Sequence, residues 1–354
     1  MLAIAFAAVA LLVPSTTGAS VPKHARSQHE STQPWSVSNF DSLITFGDSY
    51  TDESRLGWFI NHNGTAPPAG SLSPENFVTA SGGRTWPRYV IQYTSSSGNG
   101  NGSEWMPQTT LYDYAVSGAM VLINQRTVPL RPGIRTPRLP SRPDRSAREL
   151  ISPEPFFTPS LTATSAVYAL WIGTNDLGVW AFLTDSQVPG KVLSDYTSCV
   201  YEVFNALYAS GGRMFVLMNT APLHLAPLYA NASLHGVGAN QYWPAKPANL
   251  TQIAETMHEY TSTVNAVLEY RTLFENLVAH RYPGARFALF DMYSLISDIY
   301  DAPSNYLNGT GVLDGGESVW GYENDCDLNQ TVCVKRDNGT NSDAFLWFDE
   351  LHPR

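Results

Sequence analysis

Basic residues, cysteines, long apolar runs and several familiar catalytic signatures are all scarce here, and each shortage removes a class of protein. Lys and Arg number 21 against 31 Asp and Glu, a formal charge of -10. Such a chain repels phosphates, and it lacks the basic stripe by which nucleic-acid binders are read. The eight histidines form no H-E-x-x-H or comparable close pair with acidic partners, so no metal and no cofactor is expected. No G-x-S-x-G occurs, which excludes the nucleophile elbow of α/β-hydrolases. The Gly-rich stretch Ser95 to Ser103 lacks G-x-G-x-x-G and is expected as a loop, not a phosphate cradle.

Only the N-terminus is strongly apolar. Leu2 to Val13 is followed by Thr17-Gly18-Ala19, a small-residue cleavage site, so Met1 to Ala19 is expected to be a signal peptide, although no Lys or Arg precedes its apolar core. About twelve apolar residues are too few to span a bilayer. Seven Asn-x-Ser/Thr sequons, at Asn63, Asn101, Asn231, Asn249, Asn308, Asn329 and Asn338, agree with a glycosylating secretory route. Of three cysteines, Cys326 and Cys333 are close enough for a short disulfide loop in an oxidising compartment. Cys199, in an apolar helical pattern, is expected as a buried, unreactive thiol.

Five short apolar runs predict strands: Leu43 to Phe46, Leu111 to Ala115, Ala166 to Ile172, Arg213 to Asn219 and Arg286 to Asp291. Their apolarity is continuous, as in buried parallel strands. Between the later runs, Tyr196 to Tyr208 reads as a helix ending at Gly211-Gly212. A longer helix carries Ile253, Met257, Tyr260, Val264, Val267, Leu268, Phe274 and Leu277 on one expected apolar face. Alternating strand and helix imply an α/β fold, with active groups beyond the carboxyl ends of the strands. That rule puts Ser49, Gly118, Asn175 and Asn219 along one edge. Arg126 to Arg148 holds seven of the seventeen arginines and five prolines with little periodicity, which predicts an irregular surface loop.

Serine is a weak nucleophile unless a base takes its proton, and that base needs a partner to fix its tautomer. Ser49 follows the first strand in Phe46-Gly47-Asp48-Ser49-Tyr50-Thr51-Asp52. Asp349-Glu350-Leu351-His352-Pro353 places a carboxylate three residues before an imidazole, so Asp349 can orient His352 towards Ser49. An oxyanion needs donors as well. The candidates are the Ser49 N–H, the Gly118 N–H and the Asn175 side-chain amide, the last two at the ends of the second and third strands. Asp48, Asp52, Asp176 and Glu350 read as turn, cap or supporting carboxylates. His224 suits either a pocket wall or a structural place, and of Trp58, Trp86, Trp171, Trp180 and Trp243 one or two are expected to line the site.

Taken singly, each of these residues is commonplace. In order, each after an expected strand, the four blocks resemble those of the GDSL/SGNH hydrolase superfamily, whose Ser, Gly, Asn and His fall on Ser49, Gly118, Asn175 and His352. Phe46 to Thr51, Thr85-Trp86-Pro87-Arg88-Tyr89 and Asn219 to Tyr229 are further similar to fungal acetylesterases of carbohydrate esterase family sixteen. The resemblance implies a flavodoxin-like three-layer α/β/α sandwich with a parallel sheet of about five strands, and ester hydrolysis through an acyl-enzyme. It also implies a secreted acetylesterase acting on plant cell-wall oligosaccharides, with a GDSL lipase or broad short-chain esterase as the alternative. The expected layout is a signal peptide over 1–19, an extension over 20–38 and a single hydrolase domain over 39–354. The expected partner is an oligosaccharide or small ester, bound by a monomer without stable membrane insertion. Relatives usually continue past the catalytic histidine into a helix that packs on the sheet; here two residues follow His352, which leaves open both its anchoring and whether the chain continues beyond Arg354.

Overall fold

The computed structural model describes residues 39–68, 70–92, 108–122, 165–308, 318–336 and 342–354. The leader and extension, the Ser95–Ser103 stretch, the Arg126–Arg148 segment and the sequons at Asn101 and Asn338 lie outside the described residues.

All five expected strands form, as β1 Ser42–Gly47, β2 Thr110–Asp113, β3 Ala166–Trp171, β4 Met214–Met218 and β5 Arg286–Phe290. They pair in parallel in the order β2-β1-β3-β4-β5. The continuous apolar runs have the stated cause, for every residue of β1 and β3 is buried. Helices flank this sheet in an α/β/α arrangement. In chain order β2 is added on one side of β1 and β3 on the other, so the sheet's switch point lies between β1 and β3. In doubly wound sheets ligands bind beyond the carboxyl ends of the strands at such a point.

The flanking helices include α1 Arg55–Asn61, α2 Trp86–Gln92, the single turn α3 Thr174–Leu177, α4 Leu193–Ala209, α5 Leu250–Leu273 and α6 Met292–Asp301. Helix α4 buries Tyr196, Val200, Phe204 and Leu207 at three- and four-residue steps against the sheet. Helix α5 departs from expectation at its end. Ile253, Met257, Val264 and Leu268 are buried as the periodicity predicts, but Val267, Phe274 and Leu277 are exposed. The buried stripe runs instead through Thr261, Thr272 and Glu275, so these three apolar positions lie off the buried face, and the helix ends in a π turn over Phe274–Val278. Among the described residues, no helix is long and apolar enough to cross a membrane.

Two small sheets follow. β6 Ser318–Tyr322 pairs with β9 Phe345–Trp347, and β7 Asn324–Cys326 with β8 Cys333–Lys335. The expected disulfide joins Cys326 to Cys333 across the latter pair, while Cys199 is free and half-buried. Beyond β9 the chain doubles back on itself. Phe348 N–H donates to the His352 carbonyl at 2.8 Å, Arg354 N–H to the Leu346 carbonyl at 2.9 Å, and Trp347 bridges Pro353. The Arg354 guanidinium pairs with Glu323, a fully buried carboxylate that also takes Lys335 and Ser342. His352 is thus held by its own strap, and the anchoring that sequence left open comes from β9 and β6.

Candidate active site

Ser49 sits two residues past β1. Gly47 is required there by close approach, since a Cβ would strike the Trp171 carbonyl of β3. Asp48 accepts from the Tyr50 N–H at 3.1 Å, and its backbone carbonyl accepts from Thr51 and Asp52, so it holds the turn as read from sequence. Burial pushes the Asp48 carboxyl up to about 6.

The motif Thr85-Trp86-Pro87-Arg88-Tyr89 acts on the chain just after the serine. Trp86 Nε1 donates to Thr51 Oγ1 at 3.0 Å, and Arg88 grips Glu53 through two bonds of 2.6 and 2.7 Å. Fork-to-fork pairing of this kind fixes direction as well as distance.

Opposite the nucleophile turn the strap presents Asp349 and His352. Ser49 Oγ lies 2.8 Å from His352 Nε2, and His352 Nδ1 is 2.9 Å from both Asp349 oxygens. Asp349 Oδ1 also accepts the backbone N–H of Leu351 at 2.9 Å and of His352 at 2.7 Å. The i, i+3 spacing therefore closes through the backbone as well as through the ring. Tyr50 joins the two sides, its hydroxyl donating to the Leu351 carbonyl at 2.8 Å and its ring standing edge-on to His352. All three residues are buried. Burial alone would raise the Asp349 carboxyl, but the His352 charge and the hydrogen bonds from His352 and Tyr242 outweigh it and hold it below the usual range. Burial likewise opposes the His352 charge, yet Asp349 overcomes it and leaves the ring above its ordinary value of 6.5.

Gly118 and Asn175 lie in the segments that follow β2 and β3. Gly118 has φ +81, a left-handed conformation that favours glycine. Asn175, on the α3 turn after β3, donates one amide hydrogen to the Ala119 carbonyl at 3.0 Å, and among the described residues the other meets no acceptor. Among the described residues, the N–H groups of Ser49 and Gly118 take no hydrogen-bond acceptor. Two buried carboxylates hold the Gly118 loop from either end. Asp52 caps α1 through Arg55 N–H at 2.6 Å and takes the N–H and Oγ of Ser117, each at 2.7 Å. Asp176 accepts from Val121 and Leu122 at 3.2 and 2.9 Å. A preorganised N–H depends on such anchoring, because a donor that must first be ordered stabilises less.

The structure thus joins Ser49, His352 and Asp349 by hydrogen bonds and ties Asn175 to the Gly118 loop through the Ala119 carbonyl. Asn219 is not among them: its amide spans Asp291 and the Tyr293 N–H at the far side of β4. His224 packs on His258 and Tyr293 as a half-buried structural residue, and burial drives its ring down to about 4. Of the tryptophans, Trp86 braces the nucleophile loop, and Trp180 stands edge-on to Tyr242. Trp171 is buried and donates to the Asn219 carbonyl, and Trp58 lies on His62.

Sequence reasoning missed Tyr242 and Asp113. Tyr242 Oη donates to Asp349 Oδ2 at 2.6 Å and lies 3.3 Å from His352 Nδ1. Its neighbour Gln241 donates to Glu350 at 2.7 Å. Buried Asp113, at the end of β2, takes Thr45 Oγ1 and the N–H groups of Glu53 and Ala115. No spacing marks either residue, though Asp113 lies only five residues before Gly118.

These residues can pass a serine proton to an imidazole that a buried carboxylate orients. The profile of the GDSL-like Lipase/Acylhydrolase family matches residues 43–354. The chain is 41% identical over 323 residues to an acetylesterase of Hypocrea jecorina, spanning 89% of this chain and 84% of that protein. It is 28% identical over 257 residues to an acetylesterase of Thermothelomyces thermophilus, spanning 69% and 76%. Among solved structures, a catalytic mutant of an acetylxylan esterase from Geobacillus stearothermophilus shares 14% identity at a TM-score of 0.35, covering 79% of this chain and 87% of that one.

Proposed function

The chain belongs to the GDSL-like lipase/acylhydrolase family and is a carboxylic ester hydrolase, and from that premise we propose that it removes acetyl groups from plant cell-wall oligosaccharides as a secreted, monomeric enzyme. The observation that carries the chemistry is the 2.8 Å contact between Ser49 Oγ and His352 Nε2, backed by Asp349 on Nδ1.

Ser49 Oγ attacks the ester carbonyl carbon as its proton passes to His352 Nε2. Asp349 fixes the tautomer and stabilises the imidazolium. The carbonyl oxygen gathers the displaced charge and is met by the N–H groups of Ser49 and Gly118 and the free amide hydrogen of Asn175. Collapse expels the sugar alkoxide, which takes the proton from His352 and leaves as the alcohol. Water then repeats the sequence on the acetyl-enzyme, its proton going to His352, and acetate departs as Ser49 regains its hydrogen.

The acetyl preference is supported by the acetylesterases among the relatives. Secretion is supported by the apolar leader with its small-residue cleavage site, by the sequons and by the Cys326–Cys333 disulfide. Two experiments test the proposal. Acetate release from acetylated xylo-oligosaccharides should exceed that from matched longer-acyl esters, and a preference for acyl chains of about eight carbons or more would replace the acetylesterase with a lipase. Asn175→Ala is expected to lower kcat by about a hundred- to a thousandfold with little change in KM. A loss confined to KM would remove Asn175 from the oxyanion site.

A further inference from the structure

We propose that Tyr242 is a positioning residue of the catalytic relay: its hydroxyl, donated to Asp349 Oδ2, limits how strongly Asp349 can draw on the Nδ1 proton of His352 and so sets the basicity of Nε2. The proposal rests on the catalytic assignment of Ser49, Asp349 and His352.

Three observations carry it. The hydroxyl reaches Asp349 Oδ2 at 2.6 Å, shorter than either Asp349 contact to the ring. Asp349 Oδ1 is already committed to the N–H groups of Leu351 and His352, so Oδ2 is the oxygen on which a further donor acts. Tyr242 is also held from several sides. Gln241 bonds Glu350, Asn240 Oδ1 takes the Tyr242 N–H at 2.9 Å, and Trp180 packs edge-on against its ring. The half-buried Lys246 ammonium fastens the same loop to the carbonyls of Leu228 and Val237. Leu228 in turn donates its N–H to the Glu350 carbonyl at 2.7 Å. The loop therefore buttresses the strap at two successive residues, Asp349 and Glu350.

The sign of the effect follows from charge. A hydroxyl that donates to a carboxylate takes up part of its negative charge, and what it takes is withheld from the imidazolium. Removing the donor makes Asp349 a stronger partner for protonated His352. The ring then holds its proton to higher pH, and fewer molecules have the neutral base that Ser49 needs.

Other ionisable groups face this pair. Asp48 approaches His352 from the nucleophile loop, and Tyr50 faces Tyr242 and Asp349. Glu350, pushed up to about 7 by burial, lies beside both on the strap and titrates in the range of interest. For that reason the test includes a background in which Glu350 is neutral.

Tyr242→Phe keeps the ring contacts with Trp180 and His352 and deletes only the hydroxyl. The kcat/KM profile for a soluble acetyl ester should move its acid limb to higher pH by about half a unit, and activity on that limb should fall about threefold. The same displacement should appear in a Glu350→Gln background. Site-specific 3,5-difluorotyrosine at position 242, a stronger donor, should move the limb the other way, and its profile is the deciding measurement if Tyr242→Phe does not fold. The low-field proton resonance of the Asp349–His352 hydrogen bond should move with each change. A lowered Tm with an unmoved acid limb and resonance would reduce Tyr242 to packing and overturn the proposal. Labelling of Ser49 by an organophosphorus reagent in the wild-type protein reports the catalytic assignment separately, since its failure would remove that assignment whatever Tyr242 does.

Discussion

Ser49→Ala is expected to lower kcat by roughly a millionfold, and His352→Ala by nearly as much, with the double variant no worse than either. The reason is that the two side chains perform one step: Oγ is 2.8 Å from Nε2, and neither the attack nor the proton transfer proceeds without the other. What survives should be the contribution of the N–H donors and of substrate binding, on the order of a thousand- to ten-thousandfold above water. Pre-steady-state hydrolysis of a chromogenic acetyl ester measures this directly, because the wild type should show an acyl-enzyme burst and each single variant none. Losses that multiply in the double variant would mean that Ser49 and His352 act at separate steps, and the relay would fail as an account of this site.

Asp349→Asn should cost about ten-thousandfold at neutral pH despite an almost unchanged shape. The backbone N–H groups of Leu351 and His352 both point at Oδ1. An asparagine therefore keeps its carbonyl oxygen there and turns its amide hydrogens towards the position of Oδ2, next to His352 Nδ1. Where Nδ1 accepts from that amide, the ring proton moves to Nε2, and Nε2 can no longer take the proton of Ser49. The pH dependence carries a second sign. His352 stands above 6.5 because Asp349 outweighs the effect of burial, so the wild-type acid limb should lie above pH 6.5, with activity lost as the ring protonates below it. Without the carboxylate charge, burial acts unopposed and residual activity should persist to lower pH than in the wild type. An acid limb that stays in place would show that Asp349 does not govern His352.

The two carboxylate effects run in opposite directions along one chain of contacts. Removing Asp349 lowers the proton affinity of the ring, whereas removing the Tyr242 hydroxyl raises it. A structural defect would not sort the two variants by sign.

Much of this was legible in the residues. Continuous apolar runs marked the five strands to within about two residues, because a strand buried on both faces admits few polar side chains. Ser49, Gly118 and Asn175 were legible because each follows a strand end, and Asp349 with His352 because three residues separate them. Cys326 and Cys333 were paired by proximity alone. The exposed end of α5 was not legible, since Phe274 and Leu277 are apolar while the buried face continues through the polar Thr272 and Glu275. Asn219 met the strand-end rule as well as Asn175 did. Only its position beyond β3, across the sheet from the switch point, turned it towards Asp291.

By itself the sequence determined the alternation of elements, the parallel sheet and the residue types able to carry the chemistry, because these depend on local periodicity and on chemistry intrinsic to each side chain. Tertiary structure alone decided which groups meet: Tyr242 on Asp349 from 107 positions away, Asp52 on Ser117 from 65, and Ser49 on His352 from 303. Such contacts depend on where loops return over the sheet. A hydrogen bond is sensitive to tenths of an ångström, whereas the pattern of apolar residues along a chain constrains it only to the scale of a strand or a helical turn.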